Sequence, residues 1–298
     1  MLSLALPPLE TEREGRYEAW VVDASGRRAS LGRFSDGGTH SFPNPLASAA
    51  SVEVTLEPPR DADPAPSAQL LLRGTVQGGH ADLRYEGAVT QGDLSMREFP
   101  GQFTMFTPSD NDAHGYPSFE EAGVWLFNMS PAATPQNDYY VRVTQLQPGW
   151  TYEGWMVRDF GQPSAIWLSY GKFVPDWTGA LNQPDDTGWG PYSGVVDYSA
   201  AQLEDFPGDD WISNPLKLPW NPALTLPLDL REKDGSGRVR WTHVISIEPM
   251  RDRGEAVSTE RPFFMRPYVD PFGDLGPGIA RPLTLRVENM PRGTVEVR

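Results

Sequence analysis

RYEAWVVD at residues 16–23 returns at residues 151–159 as TYEGWMVRD, and the rest of the chain can be ordered around these two stretches. Each alternates apolar with polar positions, the period-two pattern of a half-buried β-strand. Tyr17 and Trp20 correspond to Tyr152 and Trp155. Outward from them, LPPL precedes the first copy where LQPGW opens the second. LGRF (31–34) then matches YGKF (170–173), and VTLEPPRD (54–61) matches ISIEPMRD (245–252). Because the matches keep one order, the chain reads as an internal duplication. From Phe34 to Glu57 the first copy takes 23 positions, whereas the second takes 75 from Phe173 to Glu248, so the second copy holds an insertion of 52 residues.

The same alternation marks SVEVTLEP (51–58), AQLLLRG (68–74), YYVRVTQL (139–146), AIWLSYGKF (165–173), THVISIEP (242–249) and PLTLRVEN (282–289) as strands. Ser25-Gly26 and Gly37-Gly38 read as turns, and GQFTMFTP (101–108) with GVWLFNMS (123–130) as a strand pair. With 30 Pro and 29 Gly the chain is too interrupted for a helical protein; only 197–206 could hold a turn or two of helix. The expected fold is all-β: two tandem β-sandwich modules, residues 1–92 and 93–298, the second with a long acidic and aromatic insertion at about 174–240.

A chain of 298 residues with 39% hydrophobic content can build a real core. Its formal charge of −15 would repel phosphate backbones, which argues against nucleic acid as a partner. The absence of cysteine removes disulfides, thiol nucleophiles and thiolate metal sites together. No apolar run approaches the roughly 20 residues that cross a bilayer, so no transmembrane segment is expected, and MLSLALPPLE lacks the basic and apolar regions of an export signal.

LPPL, YEAWVVD, LGRF, VEVTLEP and DADPAPS before an apolar strand together resemble the extracytoplasmic domain of anti-sigma-K-type factors over most of residues 4–74. TPSDND, GVWLF, TYEGWMV, YGKF, FPGDDW, LPLDL and VISIEP, spanning roughly 104–252, are similar to standalone envelope proteins labelled anti-sigma factor. The resemblance implies an extracytoplasmic β-sandwich. It speaks to fold more than to activity. The chain has neither the membrane helix nor the sigma-binding segment of a true anti-sigma factor, and RGEAVS stands in the second copy where DPAPS stands in the first.

Residues present in both copies are expected to specify the shared fold. Tyr and Trp at i and i+3 of one strand point to opposite faces. Glu57 and Glu248 end strands before prolines, and each copy offers a cation beside its glycine, so the expected pairs are Glu57 with Arg33 and Glu248 with Lys172. Residues 182–210 carry Asp185, Asp186, Asp197, Glu204, Asp205, Asp209 and Asp210 with no Lys or Arg, which suits a hard cation such as calcium. A second acidic loop holds Asp110, Asp112, Glu120 and Glu121 around His114, the best single metal candidate among the four scattered histidines His40, His80, His114 and His243. Trp177, Trp189, Tyr192, Trp211 and Trp220 flank or lie in the insertion; exposed, they would bind a glycan or apolar ligand, and buried, they would seat the loop on the sandwich. No nucleophile elbow, P-loop, dinucleotide fingerprint or HExxH pair is present.

The expectation is a non-enzymatic cell-envelope module that docks to a protein partner in a larger surface assembly. The rival readings are a metal-dependent redox or hydrolytic enzyme assembled from distant His and carboxylates, and a regulatory partner in a sigma system.

Overall fold

The computed structural model describes residues 1–96, 101–107, 120–127, 143–174, 183–185, 208–212, 220–250 and 262–297. Among them the chain is all-β, with three short 3-10 turns and no α-helix. The strands are β1 (Leu2–Ala5), β2 (Arg16–Val22), β3 (Arg28–Phe34), β4 (Gly38–His40), β5 (Ser51–Glu57), β6 (Leu70–Thr75), β7 (His80–Arg84), β8 (Gln102–Met105), β9 (Gly123–Phe127), β10 (Trp150–Arg158), β11 (Ile166–Val174), β12 (Gln183–Asp185), β13 (Gly208–Asp210), β14 (Trp241–Pro249), β15 (Tyr268–Pro271), β16 (Arg281–Pro282) and β17 (Arg292–Glu296). They form three antiparallel sheets, in the orders β3-β2-β5-β6-β7-β17-β1-β4, β12-β11-β10-β14-β15 and β13-β9-β8-β16.

The duplication is a repeat of three dimensions as well as of sequence. Strands β3-β2-β5 and β11-β10-β14 pair in the same order and register: Tyr17 faces Phe34 and Leu56, and Tyr152 faces Phe173 and Ile247. Each copy breaks register at the same place, between Ala19 and Trp20 and between Gly154 and Trp155. One extra residue is thereby accommodated on the neighbouring strand, Leu31 in the first copy and Tyr170 in the second. The central strands are buried along nearly their whole length. Tyr17 and Tyr152 enter the main core, while Trp155 packs on the opposite face with Val157, Val244 and Trp167, as alternation requires.

The expected boundary at 92/93 does not separate the sheets. β17, from the end of the chain, inserts between β7 and β1, so the first sheet is completed by residues assigned by sequence to the second module. A single cluster of buried apolar side chains runs from Leu2 and Val295 to Trp241 and Phe272. Polar contacts stitch the copies where β6 meets the start of β10. Trp150 donates its indole N–H to Leu70 O at 3.0 Å, and Gln69 Nε2 donates to Met250 O at 2.8 Å.

Most expected strands form, including the β8-β9 pair. PLTLRVEN does not continue as one: after Arg281–Pro282 it makes only a single bridge at Leu285 and a 3-10 turn at Val287–Asn289. The Thr284 N–H, which a strand would offer to a neighbouring backbone, donates instead to the Asp270 carboxylate at 3.1–3.2 Å. Of YYVRVTQL, residues 139–142 lie outside the described residues, and 143–146 contribute only a bridge from Leu146 to Thr90.

The bulge position tests the fit between the copies' differences. A Cβ on Gly154 would lie 1.7 Å from Tyr170 Cζ, so the larger bulged residue of the second copy requires the missing side chain that Ala19 supplies in the first. Gly154→Ala is expected to destabilise the protein by about 2 kcal/mol or more, and Ala19→Gly by about 1 kcal/mol. Urea denaturation of both variants measures the contrast; equal, small losses would contradict this packing.

Candidate functional site

A candidate site has to be sought among polar groups that the framework leaves over, and the framework uses many of them. In the first copy Trp20 Nε1 donates to Thr55 Oγ1 at 2.9 Å, and the Thr55 hydroxyl donates to Glu57. The Glu57 carboxylate in turn accepts the Ser67 N–H at 3.2 Å. In the second copy Trp155 donates to Ser246 Oγ at 2.9 Å, Ser246 donates to Glu248, and Glu248 accepts the Phe263 N–H at 2.8 and 3.0 Å. Beside this relay, Ser30 donates to Glu18 at 2.5 Å and Ser169 to Glu153 at 2.7 Å. Tyr17 and Tyr152 each donate a hydroxyl to an upstream carbonyl, Pro7 O and Thr144 O.

These partners correct one expected pair. Arg33 does not reach Glu57: its guanidinium binds Glu18 and Asp61, each at 2.7 Å, and the carbonyls of Asp61 and Asp63. The reason is the register, which sets Arg33 opposite Glu18 and, correspondingly, Lys172 opposite Glu153, and leaves Glu57 two strands away. Lys172 still acts on Glu248 as one of the nearby positive charges that draw its pKa down, although burial dominates and pushes that carboxyl up. Burial also raises Glu57.

The insertion candidates fall mostly beyond what is described. Asp110, Asp112, His114, Asp186, Glu204, Asp205, Trp177, Trp189 and Tyr192 lie outside the described residues, as do the side chains of Asp185 and Asp209. Asp185 pairs through its backbone with Lys172, which places β12 on the edge of β11. Asp210 is wholly buried and accepts the Trp125 indole N–H at 3.4 Å. Trp211, one of the candidate ligand-binding rings, is also fully buried, so it offers no face to a ligand and belongs to the core. Glu120 is buried too and caps the Thr107 N–H at 3.0 Å. Among the described residues no group of three or more His, Asp or Glu is placed to hold a metal ion.

Two features escaped the sequence reading. His243 sits fully buried at the position where the first copy has Val52, its Nε2 hydrogen-bonded to Tyr170 OH at 2.8 Å and its ring stacked 4.3 Å from Phe103. Its Nδ1 has no partner among the described residues. Desolvation holds its pKa at about 3. DASGR (23–27) and DGSGR (234–238) form the same turn, each Asp accepting from the Ser N–H, the Ser hydroxyl and the Arg N–H; the repeated pentapeptide was the available signal.

Among the described residues a group of solvent-facing polar side chains lies on the outside of the first sheet. There Ser3, Thr39, Asp82, Arg84, Arg292 and Thr294, from β1, β4, β7 and β17, line a groove of about 580 Å³ open to solvent. Ser3 and Thr39 hydroxyls meet at 3.3 Å, and His80 bridges Glu296 at 2.7 Å and Asp82 at 3.4 Å beside it. This groove is the candidate site. Compared with protein-family models, with curated proteins and with solved structures, the chain matches none.

Two expectations follow from the buried groups. Glu248→Ala, which strands the Phe263 N–H and the Ser246 hydroxyl, should cost about 2–4 kcal/mol, and Glu248→Gln, which keeps an acceptor, about 1 kcal/mol; chemical denaturation reads the difference. For His243 the folded pKa lies below the ordinary 6.5, so its contribution is complete above pH 6.5 and is lost as pH falls towards 3. The slope is at most about 1.4 kcal/mol per pH unit. Melting curves from pH 7 to 5 should fall more steeply for the wild type than for His243→Gln; parallel curves would contradict the burial of a neutral imidazole.

Proposed function

We propose that this protein is a non-catalytic β-sandwich module of the cell envelope that docks onto a larger surface assembly. One observation carries the reading: the buried acids that a catalytic site would need are used twice over, in matching positions, to tie strands and loops together. A group engaged identically in both copies serves what the copies share, which is architecture. The resemblance of YEAWVVD, LGRF and VEVTLEP to extracytoplasmic anti-sigma-K-type domains supports the envelope setting. The net charge of −15 suits a surface that stays soluble while presenting a restricted contact patch.

Fractionation of expressing cells tests this together with elemental analysis of the native protein. The expected outcome is recovery with the envelope, in a particle larger than the 33.0 kDa chain, without stoichiometric transition metal. Recovery as a free cytosolic monomer would overturn the docking reading, and stoichiometric copper, zinc or iron would establish the enzyme in its place.

A further inference from the structure

We propose that the groove on the outer face of the first sheet binds an oxyanion, a carboxylate or phosphate group of its ligand, between Arg84 and Arg292. The inference deepens the docking reading and rests on it only for its biological setting.

The sheet register puts three arginines in one row. Arg73 on β6 is directly opposite Arg84 on β7, and Arg84 is directly opposite Arg292 on β17. Residues directly opposite in an antiparallel pair share a face with Cβ atoms about 4.5–5.5 Å apart, and like charges so placed destabilise the sheet. On a chain of net charge −15, chance would not favour three consecutive cations on adjoining strands. The fold offers them only long ion pairs. Arg73 reaches Glu53 only at 4.0 Å, and Glu53 is already bound by Arg28 at 2.9 Å. Arg84 has Asp82 at 3.9 Å, on its own strand. The Arg292 side chain makes no hydrogen bond or ion pair with the described residues, in contrast to those of Arg33, Arg158 and Arg240, each of which makes at least two.

Two of the three, Arg84 and Arg292, line the groove, and its other polar contributors are the hydroxyls of Ser3, Thr39 and Thr294 with the Asp82 carboxylate. A guanidinium pair presents planar, convergent N–H donors matched to a carboxylate or phosphate, and neighbouring hydroxyls supply further donors. An oxyanion lying between the two arginines would remove the repulsion that the empty sheet carries. The row therefore has a stability cost that bound ligand offsets, the pattern expected of a binding site and not of a solvated face.

Calorimetric titration at low ionic strength with inorganic phosphate and, separately, with oligogalacturonate tests the proposal. Binding of either probe, weakened at least tenfold in the Arg84→Gln/Arg292→Gln double variant and unchanged in Arg60→Gln, supports it; the probe that binds tells phosphate from carboxylated glycan as the source. A second measurement is independent of the probe: Arg292→Glu should raise the melting temperature by a few degrees, because it replaces repulsion of Arg84 with attraction. Failure of both probes at millimolar concentration, binding that survives the double variant, or a lowered melting temperature for Arg292→Glu would overturn the site. Envelope fractionation is unaffected by those outcomes, so the docking reading stands or falls separately.

Discussion

The hydrogen-bond relay from an indole N–H through a hydroxyl to a buried glutamate, and from there to a backbone N–H, is the constraint around which both halves of the molecule are arranged. It links three things that sequence distance would leave independent: the central strand carrying Trp20 or Trp155, the adjoining strand with Glu57 or Glu248 at its end, and the loop that returns with Ser67 or Phe263. A buried carboxylate is costly unless its acceptor sites are filled. Here the filling donors come from the elements whose relative placement defines the sandwich, so the cost is met only in the native register.

Divergence between the copies follows from this shared frame. Where the first copy packs Ala19, Leu31 and Val52, the second packs Gly154, Tyr170 and His243, a coordinated exchange in which the missing Cβ makes room for the tyrosine and the tyrosine hydroxyl serves the imidazole. The sheet edges differ as well. β11 is covered by β12 from the insertion, whereas β3 stands at the end of its sheet with Arg33 clamped onto the 61–63 loop. Charged residues on an edge strand are a common protection against uncontrolled pairing. The face whose cations have only long ion pairs or none among the described residues is elsewhere, on β6, β7 and β17, and none of those strands belongs to the duplicated triplet.

Much of the architecture was legible in the sequence because strand alternation and ordered repeats are local signals. Tyr17 with Tyr152, Trp20 with Trp155 and the Glu-Pro pair all occupy equivalent places. What sequence order could not convey was pairing across long separations. The sequence points Arg33 to the strand-end acid Glu57, yet the register sets it opposite Glu18. β17 was missed as the strand that closes the first sheet, because TVEV is short and its partners lie more than 200 residues away. The arginine row is only half visible for the same reason: Arg73 and Arg84 meet across the β6-β7 pair, but Arg292 joins them only once β17 is inserted. For Trp211 the sequence leaves open a ligand-binding ring or a buried one, because composition around a residue does not report its exposure; the structure buries it.

The amide hydrogen exchange of Ser67 and Phe263 tests the central role of the relay most directly. Both N–H groups lie in loops, where exchange is ordinarily fast, and both donate to a buried glutamate. If the relay holds the fold together, these two amides exchange only through global unfolding, with protection equal to that of the β10 and β14 core. Exchange at ordinary loop rates, with the strands still protected, would show that the glutamates are incidental to the frame and would contradict the account.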